Sequence, residues 1–165
     1  MSNAQEQVND GRNDFDFFIG KWQGHNRRLK ERLKGCTEWE EFEGMLEDRK
    51  VLGGLGNVDE ATFERASGTF HGMTVRLFNP KAQEWSLHWA DSSGNSSMDY
   101  PTIGSFKNGR GEFYDLEPFE GKATLVRFIW SDITPTSCHW EQAFSADGGR
   151  TWETNWTMDW ERINE

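Results

Sequence analysis

Two cysteines and four prolines in 165 residues leave several architectures out at once. Cys36 and Cys138 lie far apart with no C-x-x-C pair, so neither a disulfide framework nor a zinc site is expected, and reduced thiols point to a cytoplasmic location. Basic residues are also short. The 18 Lys and Arg against 28 Asp and Glu give a formal charge of -10 and a pI near 4.9, a balance that repels phosphate backbones and anionic lipid surfaces. Nucleic acid and membrane are therefore not expected partners. No apolar run approaches the ~20 residues needed to span a bilayer, and Met1 to Asn13 lack the basic and then apolar regions of a secretory signal. The chain contains no G-x-S-x-G, Walker loop, dinucleotide fingerprint or kinase set, and its four histidines show no metal-ligand spacing.

What the chain has in quantity is aromatic surface. Only 35% of residues are hydrophobic and the mean hydropathy is -0.85, values that would point to disorder if the apolar residues were small. Instead 9 Trp and 12 Phe each carry a large area into a core. Together with 17 Gly for turns and bulges, they favour sheet over helix. The closing stretch is clearest: Trp152, Thr154, Trp156, Met158, Trp160 and Arg162 fall on one side of an extended chain, and Glu153, Asn155, Thr157, Asp159 and Glu161 on the other. Such period-two alternation marks a half-buried antiparallel strand.

Asn13 to Gly20 reads as a short helical turn capped by Asn13 or Asp14, with Phe15 and Phe18 plugging one end of the fold. Strands are expected over 21–33, 38–50, 51–64, 70–78, 85–90, 98–107, 111–116, 123–131, 136–144 and 152–163, with Asn108-Gly109 and Glu120-Gly121-Lys122 as tight hairpin loops. Trp22 and Leu29 have opposite parity, which a bulge near Gly24 would reconcile. No segment has the length and period of a crossover helix, so the sheet is antiparallel, and a meander this long leaves raw edges unless it closes. The expectation is an all-β chain: a flexible segment over 1–12, then one domain over 13–165 forming a single up-and-down antiparallel barrel of about ten strands.

Asp14-Phe-Asp-Phe-Phe-Ile-Gly20-Lys-Trp22, Trp85 with Trp89-Ala-Asp91, and Ser145-Ala-Asp-Gly-Gly-Arg-Thr-Trp152 resemble an uncharacterised bacterial family with a calycin-like barrel. That resemblance spans most of the chain and implies a fold without an established activity. The Gly20-x-Trp22 start is also similar to the lipocalin and fatty-acid-binding signature, which implies that Trp22 closes one barrel end against Arg162 of the last strand. The haem-binding nitrobindin barrel is a third relative to weigh, but no histidine follows His139 to match its C-terminal haem ligand. Ser145-x-Asp147-x-Gly149-x-Thr151-Trp152 has the form of a sialidase Asp-box, present once and read as a structural turn in which Asp147 accepts backbone amides.

Pairing Phe144 with Trp152 puts Cys138, Trp140 and Gln142 on the face of Thr154, Trp156 and Met158, and pairing Phe78 with Trp85 groups Arg76 with Leu87 and Thr74 with Trp89. The expected ligand contacts are stacking by Trp89, Trp140 and Trp156 and polar anchoring by Arg76, Asp91 and Gln142; Arg76 and Asp91 could equally form a structural ion pair. The same aromatics could instead be plain core. No cofactor is expected, haem being the one left open, through His25 if a bulge turns it inward. The carboxylates of Glu38-Trp39-Glu40-Glu41-Phe42-Glu43 are better read as charge partners of Arg27, Arg28 and Arg32 than as an acid/base pair. The leading expectation is a small hydrophobic or aromatic ligand in a Trp-lined interior. Its rivals are a barrel-borne isomerase, cyclase or hydrolase with His25 or Asp91 as base, a haem protein, and a ligand-free structural or partner-binding barrel. Leu29, Leu33 and Leu55 leave room for a homodimer face.

Overall fold

The computed structural model describes residues 10–96 and 98–164. Ten strands follow one another without a crossover: β1 (Gly20–Leu29), β2 (Trp39–Val51), β3 (Gly56–Arg65), β4 (Gly68–Asn79), β5 (Glu84–Asp91), β6 (Thr102–Lys107), β7 (Arg110–Phe119), β8 (Lys122–Ser131), β9 (Ser137–Ser145) and β10 (Glu153–Arg162). Each pairs antiparallel with its sequence neighbours, and β10 pairs with β1, so the sheet closes into an up-and-down, calycin-like barrel with no free edge. No helix among the described residues is long and apolar enough to cross a membrane.

Local chemistry sets the turns. Asn108 and Gly109, and Glu120 and Gly121, all take positive φ, the geometry of a two-residue hairpin whose twist matches its strands. The Asp-box hairpin is bonded as its sequence predicts: Asp147 accepts from the Thr151 amide and hydroxyl, and Ser145 Oγ accepts from the Gly149 amide. Those bonds hold Asp147 down at about 2.

Two features of register differ from the sequence expectation. β1 pairs with β2 without a break from Gly20 to Leu29, with no bulge at Gly24, so Trp22, Gly24, Asn26 and Arg28 face inward, and Leu29 is buried at the strand's end. The bulge lies in β10 at Asn155, where Thr154 pairs with Ala143 and the next ladder pair is Trp156 with Gln142. It turns Asn155 inward, fully buried, while the Thr154 hydroxyl donates to Glu141. The homodimer expectation loses two of its residues, since Leu29 is buried and Leu55 packs against the core.

The N-terminal segment forms two 3-10 turns, Gly11–Asn13 and Asp16–Phe18, the first capped by Asp10 rather than by Asn13 or Asp14. Of the segment expected to be flexible, 1–9 lie outside the described residues; Gly11 bonds across to Gln83 and accepts from the Trp85 indole. Phe15 and Phe18 are buried among Trp22, Trp85, Phe113 and Trp130 and close one end of the barrel. Each such ring contributes on the order of 2–3 kcal/mol by leaving water. Arg162 clamps this plug: its guanidinium donates to the Ile19 and Phe17 carbonyls at 2.6 Å each and to Pro135 O at 3.0 Å, and its Cζ lies 4.3 Å from the Trp22 ring centroid. Trp22 in turn donates from Nε1 to Phe18 O at 2.8 Å. Arg162→Ala is expected to cost about 2–4 kcal/mol in urea denaturation, because partly buried carbonyls lose a charged donor. A change under about 0.5 kcal/mol would show that the clamp does not hold the plug.

Candidate functional site

Strand alternation points a set of aromatic side chains into the half of the barrel away from the plug, where they enclose a cavity of about 150 Å³. Trp130 and Trp160 stand at its plugged end with Phe18, and the walls carry Phe63, Trp89, Phe128, Trp140 and Trp156. It adjoins a space of about 410 Å³ at the barrel mouth, and Trp89, Asn95, Glu117, Gln142 and Trp156 line both.

Trp156 organises the wall. Its ring meets Trp89 (6.1 Å, 88°) and Trp140 (5.5 Å, 87°) edge to face, and Trp140 meets Phe128 at 5.0 Å. Polar bonds fix the indoles: Trp156 Nε1 donates to Asn26 Oδ1 at 2.9 Å, and Trp89 Nε1 donates to Asp91 Oδ2 at 2.9 Å. Glycine makes room for two of the rings. A Cβ at Gly24 would stand 2.5 Å from the Trp160 ring, and one at Gly72 would collide with Trp89.

At mid-barrel the buried Arg76 is held by three residues from neighbouring strands. It donates to Asp59 Oδ2 at 2.5 Å and Asn57 Oδ1 at 2.9 Å, and lies 3.5 Å from Asp48 Oδ1. Burial pushes Asp48 up to about 7, against the pull of Arg76 and helped by the Asp59 charge. Asp59 is also raised by burial, opposed by Arg76. A second acidic pair, Asp115 and Glu117 on β7, lines the cavity; burial and the Asp115 charge raise Glu117 to about 7. Several buried polar atoms at the cavity have no partner among the described residues: Arg76 Nε, Thr102 Oγ1, Asp115 Oδ2 and the indole nitrogens of Trp130 and Trp160. Buried donors and acceptors without partners are costly, and a polar guest would satisfy them.

The structure brings Trp89, Trp140, Gln142 and Trp156 together, with Arg76 opposite Leu87 and Thr74 opposite Trp89 as expected, but Phe144 pairs with Glu153 and not with Trp152, so Gln142 lies opposite Trp156 and Trp140 opposite Met158. Other expectations are corrected. Arg76 does not pair with Asp91; it binds Asp59 and Asp48, whose strand faces parity left undecided. Asp91 sits at the mouth, where its carboxylate accepts from Ser93 and the Trp89 indole; burial pushes it up, but these bonds outweigh that and hold it below the usual range. His25, the candidate haem ligand or base, lies on the outer face between Glu43 (2.7 Å) and Glu41 (3.1 Å), because β1 has no bulge there. Thr154 faces outward, and Asn155 takes the inward place, accepting from Gln142 at 2.8 Å. Of the acidic strand, Glu41 meets Arg27 at 3.7 Å as cross-strand pairing predicts, but Glu40 bonds Arg65 rather than Arg28.

Sequence reasoning missed the arginines of the mouth, Arg28, Arg32 and Arg65, and the β7 acids. Parity from Trp22 without the supposed bulge would have found Arg28, and parity from Phe113 would have found Asp115 and Glu117.

No known protein-family profile and no curated protein matches the chain. Among solved structures it is similar to an S-type phycobiliprotein lyase, CPES, from Guillardia theta, with a TM-score of 0.65 and 10% sequence identity over 94% of each chain. At that identity the likeness concerns the fold, and it agrees with the calycin-like barrel.

Because Asp48 is raised from 3.8 to about 7, the folded chain holds that proton more tightly than the unfolded one. The stability it contributes is complete below its ordinary value and is lost as pH rises through about 7. Asp48 is therefore expected to make the protein resist urea better at about pH 5 than at about pH 8, by on the order of 2 kcal/mol, a share that Asp48→Asn removes while the share of Glu117, also raised to about 7, remains. An unchanged slope in the variant would remove Asp48 as its source.

Proposed function

We propose that the barrel binds a small hydrophobic or aromatic molecule in its tryptophan-lined cavity. The observation that carries this reading is the cavity and adjoining mouth, where Trp89, Trp140 and Trp156 line open space next to buried N–H groups that have no partner among the described residues. In this reading the three tryptophans stack on the guest, Arg76 donates its free Nε–H to an acceptor on it, and Gln142 borders it at the mouth. Asp91 acts through Trp89, whose indole it fixes. The likeness to a phycobiliprotein lyase puts bilins among the guests worth trying; one would fill the mouth as well as the deeper cavity.

Tryptophan fluorescence during titration with biliverdin, haemin, oleate and naphthalene derivatives tests the reading. At least one should quench saturably at one molecule per chain, and Trp156→Leu should weaken it about ten-fold or more, since a lost aromatic contact is worth ~1–3 kcal/mol. Saturable binding that the variant leaves unchanged would move the site elsewhere. No binding by any of the four would favour a dry barrel.

A further inference from the structure

Arg28, Arg32 and Arg65 converge on the mouth of a chain whose net charge is -10. Arg65 is neutralised by Glu40, at 2.5 and 3.0 Å. The other two are not: among the described residues neither Arg28 nor Arg32 makes an ion pair or a hydrogen bond to a carboxylate. Each instead lies over aromatic rings, Arg28 Cζ 4.9 Å from the Trp156 centroid and Arg32 Cζ 5.1 Å from Phe119 and 5.4 Å from Phe144. Stacking fixes the plane of a guanidinium and leaves its edge N–H groups free to donate. Both sites are partly buried, and burial together with the neighbouring arginines disfavours the charged forms, bringing Arg28 down to about 10.

The acids whose charges reach them are Asp91 and Glu40 for Arg28 and Glu117, Glu120 and Glu153 for Arg32, none of them in direct contact, and Glu40 is already bound to Arg65. Asp91 is engaged by Ser93 and Trp89, and Glu117, the acid on the facing wall, is raised to about 7 by burial and by Asp115. Deeper in, Arg76 is already matched by Asp59 and Asp48, so an acid placed there would meet two carboxylates. The two arginines at the mouth are where an anion is stabilised, and Trp156 is shared between the Arg28 stack and the cavity wall.

We infer that the guest is an amphipathic acid, its apolar body against Trp89, Trp140 and Trp156 and its carboxylate bound by Arg28 and Arg32 at the barrel mouth. This rests on the cavity reading and adds the chemistry and the orientation of the ligand.

The test is calorimetric titration of the full chain with a matched pair of probes, 2-naphthylacetate and 2-naphthaleneethanol, which share a body and differ in charge. The acid is expected to bind about ten-fold tighter or more, the worth of charge-assisted bonds at a partly desolvated site. That advantage should shrink as NaCl rises from about 0.05 M to about 0.5 M. The double variant Arg28→Gln, Arg32→Gln should abolish the difference between the two probes, the acid binding no tighter than the alcohol in the same variant. Equal binding of the two probes by the natural chain would overturn the inference while leaving the cavity reading intact, and this comparison needs no variant to fold. An acid preference that survives in the double variant would also overturn it. Binding of neither probe would remove the cavity reading and the inference together.

Discussion

A buried cation at mid-barrel, Arg76, organises the interior. Arg76 takes its partners from β2 and β3, with Asp48, Asn57 and Asp59 on one side and the rings of Phe15, Phe18 and Trp130 within 5.6 Å of its Cζ on the other. Taking an arginine out of water is affordable only with partners of this kind, and removing one member strands the rest. The consequence is a divided barrel. On the ring side the N-terminal turns fill the lumen with aromatic side chains; on the other side the edge-to-face set of Trp89, Trp140 and Trp156 lines a cavity.

The same polar logic extends to the cavity wall. Each of Trp89 and Trp156 has its indole N–H tied to a side-chain oxygen, so the rings are held at fixed angles instead of collapsing into the open space. The bulge at Asn155 serves Gln142 in the same way, presenting an acceptor that a regular strand would have turned outward. Trp130 and Trp160, at the plugged end, have no such acceptor, and their free N–H groups are the main sign that the enclosed space suits a polar atom as well as an apolar body.

Much of this was legible from residue order. Alternation over Trp152–Arg162, the hairpin dipeptides and the absence of a crossover helix led to a closed antiparallel barrel, and the cross-strand pairing of Phe78 with Trp85 put Arg76 and Trp89 on the inner face. The failures share one cause: a bulge shifts every later side chain to the other face, and nothing local in the sequence locates it. Supposing one at Gly24 sent His25 inward and hid Arg28; missing the one at Asn155 misplaced Thr154. Gly24 is there to admit the Trp160 ring, a reason visible only once β10 lies beside β1. Ion pairs between strands of undecided face, such as Arg76 with Asp59, were likewise beyond reach of the pattern.

That the interior of this barrel is a binding site is the claim on which the rest depends, and native mass spectrometry of protein taken directly from the producing cells tests it most directly. The account predicts a discrete adduct at one per chain above the 19.1 kDa polypeptide, lost on denaturation and released as a small amphipathic molecule. A native mass equal to the bare chain in every such preparation would contradict it.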